Sequence, residues 1–483
     1  MKNIANYKPN IVFEYFKEIT KIPHGSGNTS KLADYCLDFA KKRGYRAVKE
    51  EIGNVIIYAD GTKGYEHSEP IIIQGHLDMV CEQSEDSNVD MDNCGVTVCT
   101  DGDFIYADKT TLGADNGIAI AYILAILDSD DIPHPPIEAL LTVDEEVGMV
   151  GARALDVSLL KGKKLINIDS EEEGILTVSC AGGVRAYCDI PLNFVKTESN
   201  MISYKIEIKG LLGGHSGIDI NKHRKNSNVL MGRLLQHISR KVDFFVSDVN
   251  GGKKTNVIPK QSQCVICSES NNAEYIEKAI ADFDNIIKKE ISLYEPDVSV
   301  NAERCELPQN HTDSESTKKL IFTLLQIPNG VQSMSPDMPN MVQTSLSCGV
   351  LSIEENNLKM AFFIRSNAST GKQLTVQKLI SFIEYLDGSI EFRSDYPAWE
   401  YRADSPLRET MIKAYEEVYL DYPKISALHA GLECGILSSR LDNCDMISFG
   451  PDIFDAHTPK ERVSIESVSR CWNYLLKILE MSK

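Results

Sequence analysis

Five times in this chain a run of apolar residues ends in, or begins from, a histidine or a carboxylate. Pro70-Ile71-Ile72-Ile73-Gln74-Gly75 runs into His76-Leu77-Asp78, Ala139-Leu140-Leu141-Thr142-Val143 into Asp144-Glu145-Glu146, and Leu165-Ile166-Asn167-Ile168 into Asp169. Met446-Ile447-Ser448-Phe449 leads into a loop carrying Asp452, Asp455 and His457, and Thr111-Leu112-Gly113-Ala114-Asp115-Asn116-Gly117 opens the apolar helix expected from Ile118 to Leu127. A hydrolytic site with two divalent ions needs this inventory: imidazole and carboxylate ligands, one carboxylate shared between the ions, and one left free as a base.

The elements that position these groups follow from the same runs. Short β-branched stretches such as Ile71 to Ile73 read as buried strands, with Gly75 letting the chain leave the sheet. His76 and Asp78 then fall just past a strand's carboxyl end, the edge of an open α/β sheet where ligands bind. Asp78 follows His76 by two residues, too close to reach another region but placed to accept the imidazole's other N–H and fix its tautomer. A helix is expected after Asn28-Thr29-Ser30, stopped by Gly44, and Val55 to Tyr58 reads as a strand. Ser84 to Thr110 is polar and Asp-rich, a surface excursion. His24 and His67 lie in loops and are expected to be solvated. Glu171-Glu172-Glu173 is expected to be a solvated acidic surface rather than further ligands.

Composition bounds the class. A chain of 483 residues can bury a large core in two or more domains, and 42% hydrophobic with 25% charged residues is ordinary for a soluble enzyme. No run approaches the ~20 apolar residues of a membrane span, and Met1-Lys2-Asn3 opens no signal peptide, so a cytoplasmic protein without a membrane partner is expected. The formal net charge of -20 opposes nucleic-acid binding. Thirteen cysteines, an odd number thinly spread, argue for reduced thiols. Cys264-Val265-Ile266-Cys267 lacks a second pair at zinc-ribbon spacing and reads as a strand with two small thiols.

The runs QGHLDMV, TLGADNGIAIA, LTVDEEVGM, LINIDSEEEG, GGHSG and HAGLECG resemble the dinuclear zinc metallopeptidases related to aminoacylase and glutamate carboxypeptidase, over essentially the whole chain. The resemblance implies an α/β fold: a discontinuous zinc-peptidase catalytic domain with a mixed sheet flanked by helices, plus an inserted α+β lid domain. The boundaries expected are 1–183 and 395–483 for the catalytic domain and 184–394 for the insertion, which is about twice the size of a carboxypeptidase lid.

By the same resemblance His76 binds one metal and His457 the other, Asp115 bridges them, and Glu146 and Asp169 complete the shells. The ions are two divalent cations, zinc first, with cobalt or manganese also suited to nitrogen and oxygen donors. Glu145 is the general base, Asp78 serves catalysis by orienting His76, and His215 in Gly213-Gly214-His215-Ser216-Gly217 stabilises the oxyanion. In family dimers that histidine can come from a partner subunit, so a homodimer is expected.

Asn256 and Arg365 are candidates for gripping a substrate carboxylate; for Arg365 an exposed structural role is the alternative. His429 and Glu433 belong to the segment that favours the family's dipeptidase branch. Glu433 could meet a free amino terminus, or the segment could be a helix-start packing motif; the residues leave both open. The implied activity is hydrolysis of small peptides, dipeptides with a free amino terminus, Xaa-His and carnosine-like ones among them. A broader dipeptidase, an aminoacylase or deacetylase, and a non-catalytic peptide-binding protein are the alternatives.

Overall fold

The computed structural model describes residues 4–483, so the polar start Met1-Lys2-Asn3 lies outside the described residues. The described residues divide into two compact units, the first formed by residues 4–180, 401–427 and 432–483, the second by 181–400 and 428–431.

The first unit is built on an eight-stranded mixed sheet in the order Arg46–Lys49, Val55–Ala59, Ile137–Thr142, Ile71–His76, Lys164–Asn167, Asp445–Ser448, Ile175–Cys180, Lys424–Leu428. The four central strands, Ile137–Thr142, Ile71–His76, Lys164–Asn167 and Asp445–Ser448, run parallel, in registers that set His76 opposite Thr142, Gln74 opposite Asn167 and Ser448 opposite Asn167. Their carboxyl ends are nearly flush, so the segments after them leave the sheet along one edge. These strands are apolar and buried along almost their whole length, as strands covered on both faces must be.

Helix Ala114–Asp128 is apolar all round, with every residue from Asn116 to Leu127 buried. Helix Asn10–Ile19 packs on it across Gly117, where an added Cβ would come 3.2 Å from Phe16 Cε2. Helix Ser30–Arg43 ends at Gly44 with φ 76°, and Ile465–Met481 is capped by Ser464 Oγ, which accepts from Ser467 N.

Residues 84–110 are not a free surface excursion. Val98–Thr100 and Phe104–Ala107 form a hairpin that pairs with Arg462–Ser464, next to Ile453–Phe454, in a four-stranded sheet. The alternation that buries Ile105 and Ala107 was hidden among the acids around it.

The second unit is a nine-stranded sheet whose printed pairings are all antiparallel. Its order is Ser299–Arg304, Met201–Lys209, Ser262–Glu269, Phe245–Gly251, Val342–Glu354, Asn357–Ser366, Gly182–Pro191, Ser389–Tyr396, with Gly330–Met334 also on Val342–Glu354. Two antiparallel blocks join through the pairs Asn250–Ser352 and Gly251–Leu351. Helices Ser227–Ser239, Ala273–Ile291, Ser314–Gln326 and Ser369–Tyr385 bury their apolar sides, Leu230, Ile276, Leu320 and Leu379 among them, in this unit's core.

The chain re-enters the first unit at Tyr401 rather than at 395, because Ser389–Tyr396 is the edge strand of the second sheet. His429 is also displaced from its expected domain. Residues 428–431 fold with the second unit, where the Ala181 backbone N–H donates to the carbonyls of Leu428 and Ala430.

Candidate active site

In the first unit the five expected ligand residues converge. His76, the last residue of its strand and 1% exposed, points Nε2 at Asp115 Oδ1 (3.2 Å) and Asp169 Oδ1 (3.3 Å). His457, in its loop with φ 61°, points Nε2 at Asp115 Oδ2 (3.1 Å) and Glu146 Oε1 (2.8 Å). The Asp115 carboxylate thus lies between the two imidazoles with one oxygen toward each. Ligand atoms of His76, Asp115 and Glu146 lie within 4.8 Å of one another, a spacing that could hold a metal ion.

Charge supplies the test of that fit. No Lys or Arg pairs with Asp115, Glu146 or Asp169 among the described residues; their partners are the two imidazoles. The Asp115 and Glu146 carboxylates push the His457 imidazole up to about 11. Burial would lower His76, but Asp169, Asp115 and Asp78 hold it well above its ordinary value. Burial pushes Asp169 up to about 6, with Asp115 and Glu146 adding to the rise. Protons on the imidazoles stand where positive charge is needed, and nitrogen and oxygen donors so crowded with negative charge fit divalent cations.

Glu145, adjacent to this cluster, makes no side-chain hydrogen bond or ion pair among the described residues. Burial, with Asp169, Glu433 and Glu146 nearby, raises its carboxyl well above the usual range. Its backbone is held by Asp78, whose Oδ1 accepts from Glu145 N (2.9 Å) and whose Oδ2 accepts from Glu146 N (3.2 Å) and Ser26 Oγ (2.8 Å). Burial raises Asp78, but His76 and these donors outweigh it and hold the carboxyl below its ordinary value.

The expected bond from the imidazole to the Asp78 carboxylate is replaced by one from His76 Nδ1–H to the Asp78 carbonyl (3.0 Å), with Oδ1 at 3.4 Å. A two-residue separation lets the chain fold its own carbonyl under the ring, which leaves the carboxylate free to grip the Glu145-Glu146 turn.

Several supports carried no signal of their own in the sequence. Asn116 takes the His76 backbone N–H on Oδ1 (3.1 Å) and donates Nδ2 to the Ile168 carbonyl (2.5 Å), tying two ligand strands to the Asp115 turn. Gly75 lies within its strand, and its glycine serves this contact: a Cβ there would sit 2.5 Å from Asn116 Oδ1.

Glu433 is fully buried, and its Oε2 accepts from Gln74 Nε2 and Thr142 Oγ1, both at 2.6 Å. It anchors a polar layer two residues behind His76 and Asp169 that also includes the Asn167 Nδ2 bond to Gln74 Oε1 (2.5 Å). Burial pushes Glu433 up to about 7.

The second unit gathers four expected residues. Gly214 and His215 pair with Ile258 and Val257, and Ser216 N–H donates to the Asn256 carbonyl (2.9 Å). His215 Nδ1 accepts from the backbone N–H groups of Gly217 (3.2 Å) and Ile218 (3.1 Å), which puts the ring proton on Nε2. Burial and Arg365 lower this imidazole to about 4, so it is neutral at pH 7. Nε2–H faces Arg365 Nη2 at 3.3 Å, so two donors converge with no acceptor between them.

Arg365 is not an exposed structural arginine. It is 4% exposed, its guanidinium stacks 3.9 Å from the Phe363 ring centroid and donates to Tyr396 OH (3.2 Å), and no carboxylate pairs with it among the described residues. His429 is held on both nitrogens, Nε2 by Ser345 Oγ (2.8 Å) and Nδ1 by Asn367 Oδ1 (3.0 Å). Burial, with Arg365 and His215 close by, lowers it to about 3.

Other expectations change. His24 is buried rather than solvated, donating Nδ1–H to the Ile22 carbonyl (2.6 Å), while His67 is exposed. In the acidic run Glu173 is not a solvated group: Arg470 binds it through Nε (2.8 Å) and Nη2 (2.6 Å). A distant helix supplies that partner. Cys264 and Cys267 are both buried in strand Ser262–Glu269.

Residues 72–481 match the description of peptidase family M20/M25/M40. The chain belongs to this family, and it is a hydrolase of peptide bonds. It is 33% identical over 480 residues, 99% of both chains, to the cytosol non-specific dipeptidase of Escherichia coli K12. Its fold superposes with a TM-score of 0.93 on aminoacylhistidine dipeptidase from Vibrio alginolyticus, at 35% identity over 99% of this chain and 98% of that one. Aminopeptidase PepT from Bacillus cereus shares the fold alone, with a TM-score of 0.57 and 14% identity over 99% of each chain.

Proposed function

We propose that the protein is a two-metal dipeptidase acting on dipeptides with a free amino terminus, Xaa-His and carnosine-like substrates included. The observation that carries this reading is the convergence of His76, His457, Asp115, Glu146 and Asp169 without a Lys or Arg counter-ion among the described residues, beside a Glu145 carboxylate that none of them engages. Zinc is the first choice of ion, with manganese or cobalt as alternatives.

His76 and Asp169 would hold one ion and His457 and Glu146 the other, with the Asp115 carboxylate, which has one oxygen toward each imidazole, shared between the two sets. Bound there, the ions would supply Lewis acidity, acidifying a water and polarising the scissile carbonyl. Glu145 accepts a proton on its carboxylate and delivers it to the nitrogen of the leaving amine. Burial and the neighbouring carboxylates raise its pKa, the direction that helps a carboxylate take up a proton and hold it for the leaving group. Asp78 keeps Glu145 and Glu146 in place through their backbone N–H groups. His215 Nε2–H and the Arg365 guanidinium, two unanswered donors, serve the substrate's oxyanion and carboxylate. Asn256 lies beside them, and His429 steadies the cluster.

A cytoplasmic site of action is part of this reading, supported by thirteen free cysteines and by the name of the Escherichia coli relative. No described helix is long and apolar enough to cross a membrane. A homodimer is also part of it, checked by sedimentation. A broader dipeptidase is the second reading, favoured by the word non-specific in that relative's name.

The experiment is hydrolysis of Ala-His, β-Ala-His, Ala-Leu and N-acetyl-Met by metal-stripped protein with and without zinc, manganese or cobalt. Metal-restored cleavage concentrated on the histidine dipeptides is expected. Equal cleavage of Ala-Leu selects the broader enzyme and cleavage of N-acetyl-Met alone an aminoacylase. No cleavage under any metal would leave a binding protein.

A further inference from the structure

We propose that Glu461 is a positioning residue for the Asp115 carboxylate, and that segment 457–461, which carries both Glu461 and His457, holds that carboxylate where the metal ions would bind. This rests on the two-metal reading above. Glu461 is 3% exposed and pairs with no cationic side chain among the described residues. Instead it takes four consecutive backbone N–H groups: Leu112 (2.7 Å) and Gly113 (3.1 Å) donate to Oε2, Ala114 (2.8 Å) and Asp115 (3.3 Å) to Oε1.

The opening of a helix leaves such N–H groups without partners and carries a partial positive charge, so a buried carboxylate there is stabilised from both sources. The turn needs it. No side chain of its own caps helix Ala114–Asp128, Gly113 is left-handed at φ 75°, and Asp115 (φ -84°, ψ 103°) and Asn116 (φ -116°, ψ 27°) are not helical. Across the unwound turn one helical bond remains, Gly117 N–H to the Gly113 carbonyl (3.1 Å), and Glu461 holds the backbone N–H groups from Leu112 to Asp115 that this bond leaves unpaired.

The same short segment delivers a ligand. His457 lies four residues before Glu461, and the turn between them is closed by Glu461 N–H donating to the Thr458 carbonyl (3.0 Å). His457 meets one Asp115 oxygen at 3.1 Å while His76 meets the other at 3.2 Å. One short piece of chain therefore contacts both the Asp115 backbone, through Glu461, and one oxygen of its carboxylate, through His457. The partners lie 346 residues apart.

Another clamp of the same kind provides the control. Glu138 is also buried and accepts from Lys161 N and Gly162 N at 2.9 Å, but at the amino end of strand Ile137–Thr142, away from Glu145 and Glu146.

The test titrates zinc and manganese into metal-stripped wild type, E461Q, E461D and E138Q against a chromophoric chelator, with circular dichroism for folding and kcat and KM measured separately. Gln keeps the shape but replaces one acceptor oxygen with an NH2 group facing donors. The expected result for E461Q is ~10–100-fold weaker binding of at least one ion, the range for groups that orient metal ligands. Its kcat falls by a similar factor at unchanged KM.

E461D, charged but one methylene short, should fall between wild type and E461Q, and it serves as the test if E461Q does not fold. E138Q should lower Tm while keeping wild-type metal affinity. Wild-type affinity in E461Q, or in E461D where E461Q does not fold, overturns the proposal, as does an equal loss in E138Q. A wild-type protein that binds neither ion would sink the two-metal reading itself, which the wild-type isotherm reports separately.

Discussion

Glu145 is singled out by what it does not touch. Its carboxyl is raised and makes no side-chain hydrogen bond or ion pair among the described residues, so Glu145→Gln should cut kcat by ~10²–10⁴-fold, the usual worth of a general base. Metal content by plasma emission should not change; near-normal turnover with both ions bound would remove Glu145 from the mechanism. Arg365 has the opposite profile, a buried cation without an anion. Burying a charge unpaired is costly unless a ligand completes it. Arg365→Met should raise KM for dipeptides about 10–100-fold, the worth of a charge-assisted hydrogen bond, and change kcat little. Dipeptide amides, which lack the carboxylate, should be indifferent to it.

At the scale of elements, four parallel strand ends and one unwound helix start are stitched together by side chains that do no chemistry: Asp78, Asn116, Glu433 and Glu461. The contact that admits Asn116 depends on Gly75. A Cβ on Gly75 would meet Asn116 Oδ1 at 2.5 Å and Ala119 Cβ at 2.8 Å, and a packed interior has little room to give. Gly75→Ala should destabilise the protein by about 1–3 kcal/mol, as overpacking does, and weaken metal binding by moving His76 off Asp115. Urea unfolding and a chelator-competition titration measure the two effects. A variant destabilised with unchanged metal affinity would show that the Asn116 link does not hold the ligand in place.

For the whole molecule, the metal site and the buried histidines make stability depend on solution conditions. Ions that bind the folded state alone stabilise it by mass action, so removing them with a chelator should lower Tm, and adding zinc or manganese should restore it. An unchanged Tm would argue against a loaded site.

His215 and His429 are lowered to about 4 and about 3, against ~6.5 in an unfolded chain. Between about pH 4 and 6.5 the unfolded chain therefore binds more protons at these two positions. Their contribution to stability is full above pH 6.5 and is lost as pH falls through that window. Urea midpoints at pH 7, 5.5 and 4.5 should fall in that order, and less steeply in His429→Gln; parallel slopes would show that His429 is not a source of the acid sensitivity.

Much of the site was readable along the chain because its chemistry is local in sequence. A strand announces itself by β-branched apolar residues, and the residue type at its carboxyl end shows what it delivers to the sheet edge, which singles out the segments that carry His76, Glu145, Glu146, Asp169 and His457; the choice of ligands and base within those segments is what the resemblance to the family implies. Helix Ala114–Asp128 was readable for the same reason, from its unbroken apolar run.

What only the tertiary structure decided are pairings across hundreds of residues, which no local pattern encodes. The Glu461 carboxylate under Asp115, the Arg470 partner that turns Glu173 from a surface acid into an anchor, and the docking of the 98–107 hairpin on Arg462–Ser464 all depend on which segments become neighbours. So does the placing of His429 in the second unit. A buried polar group is stable only with its partner, and the partner is chosen by the packing of the whole chain.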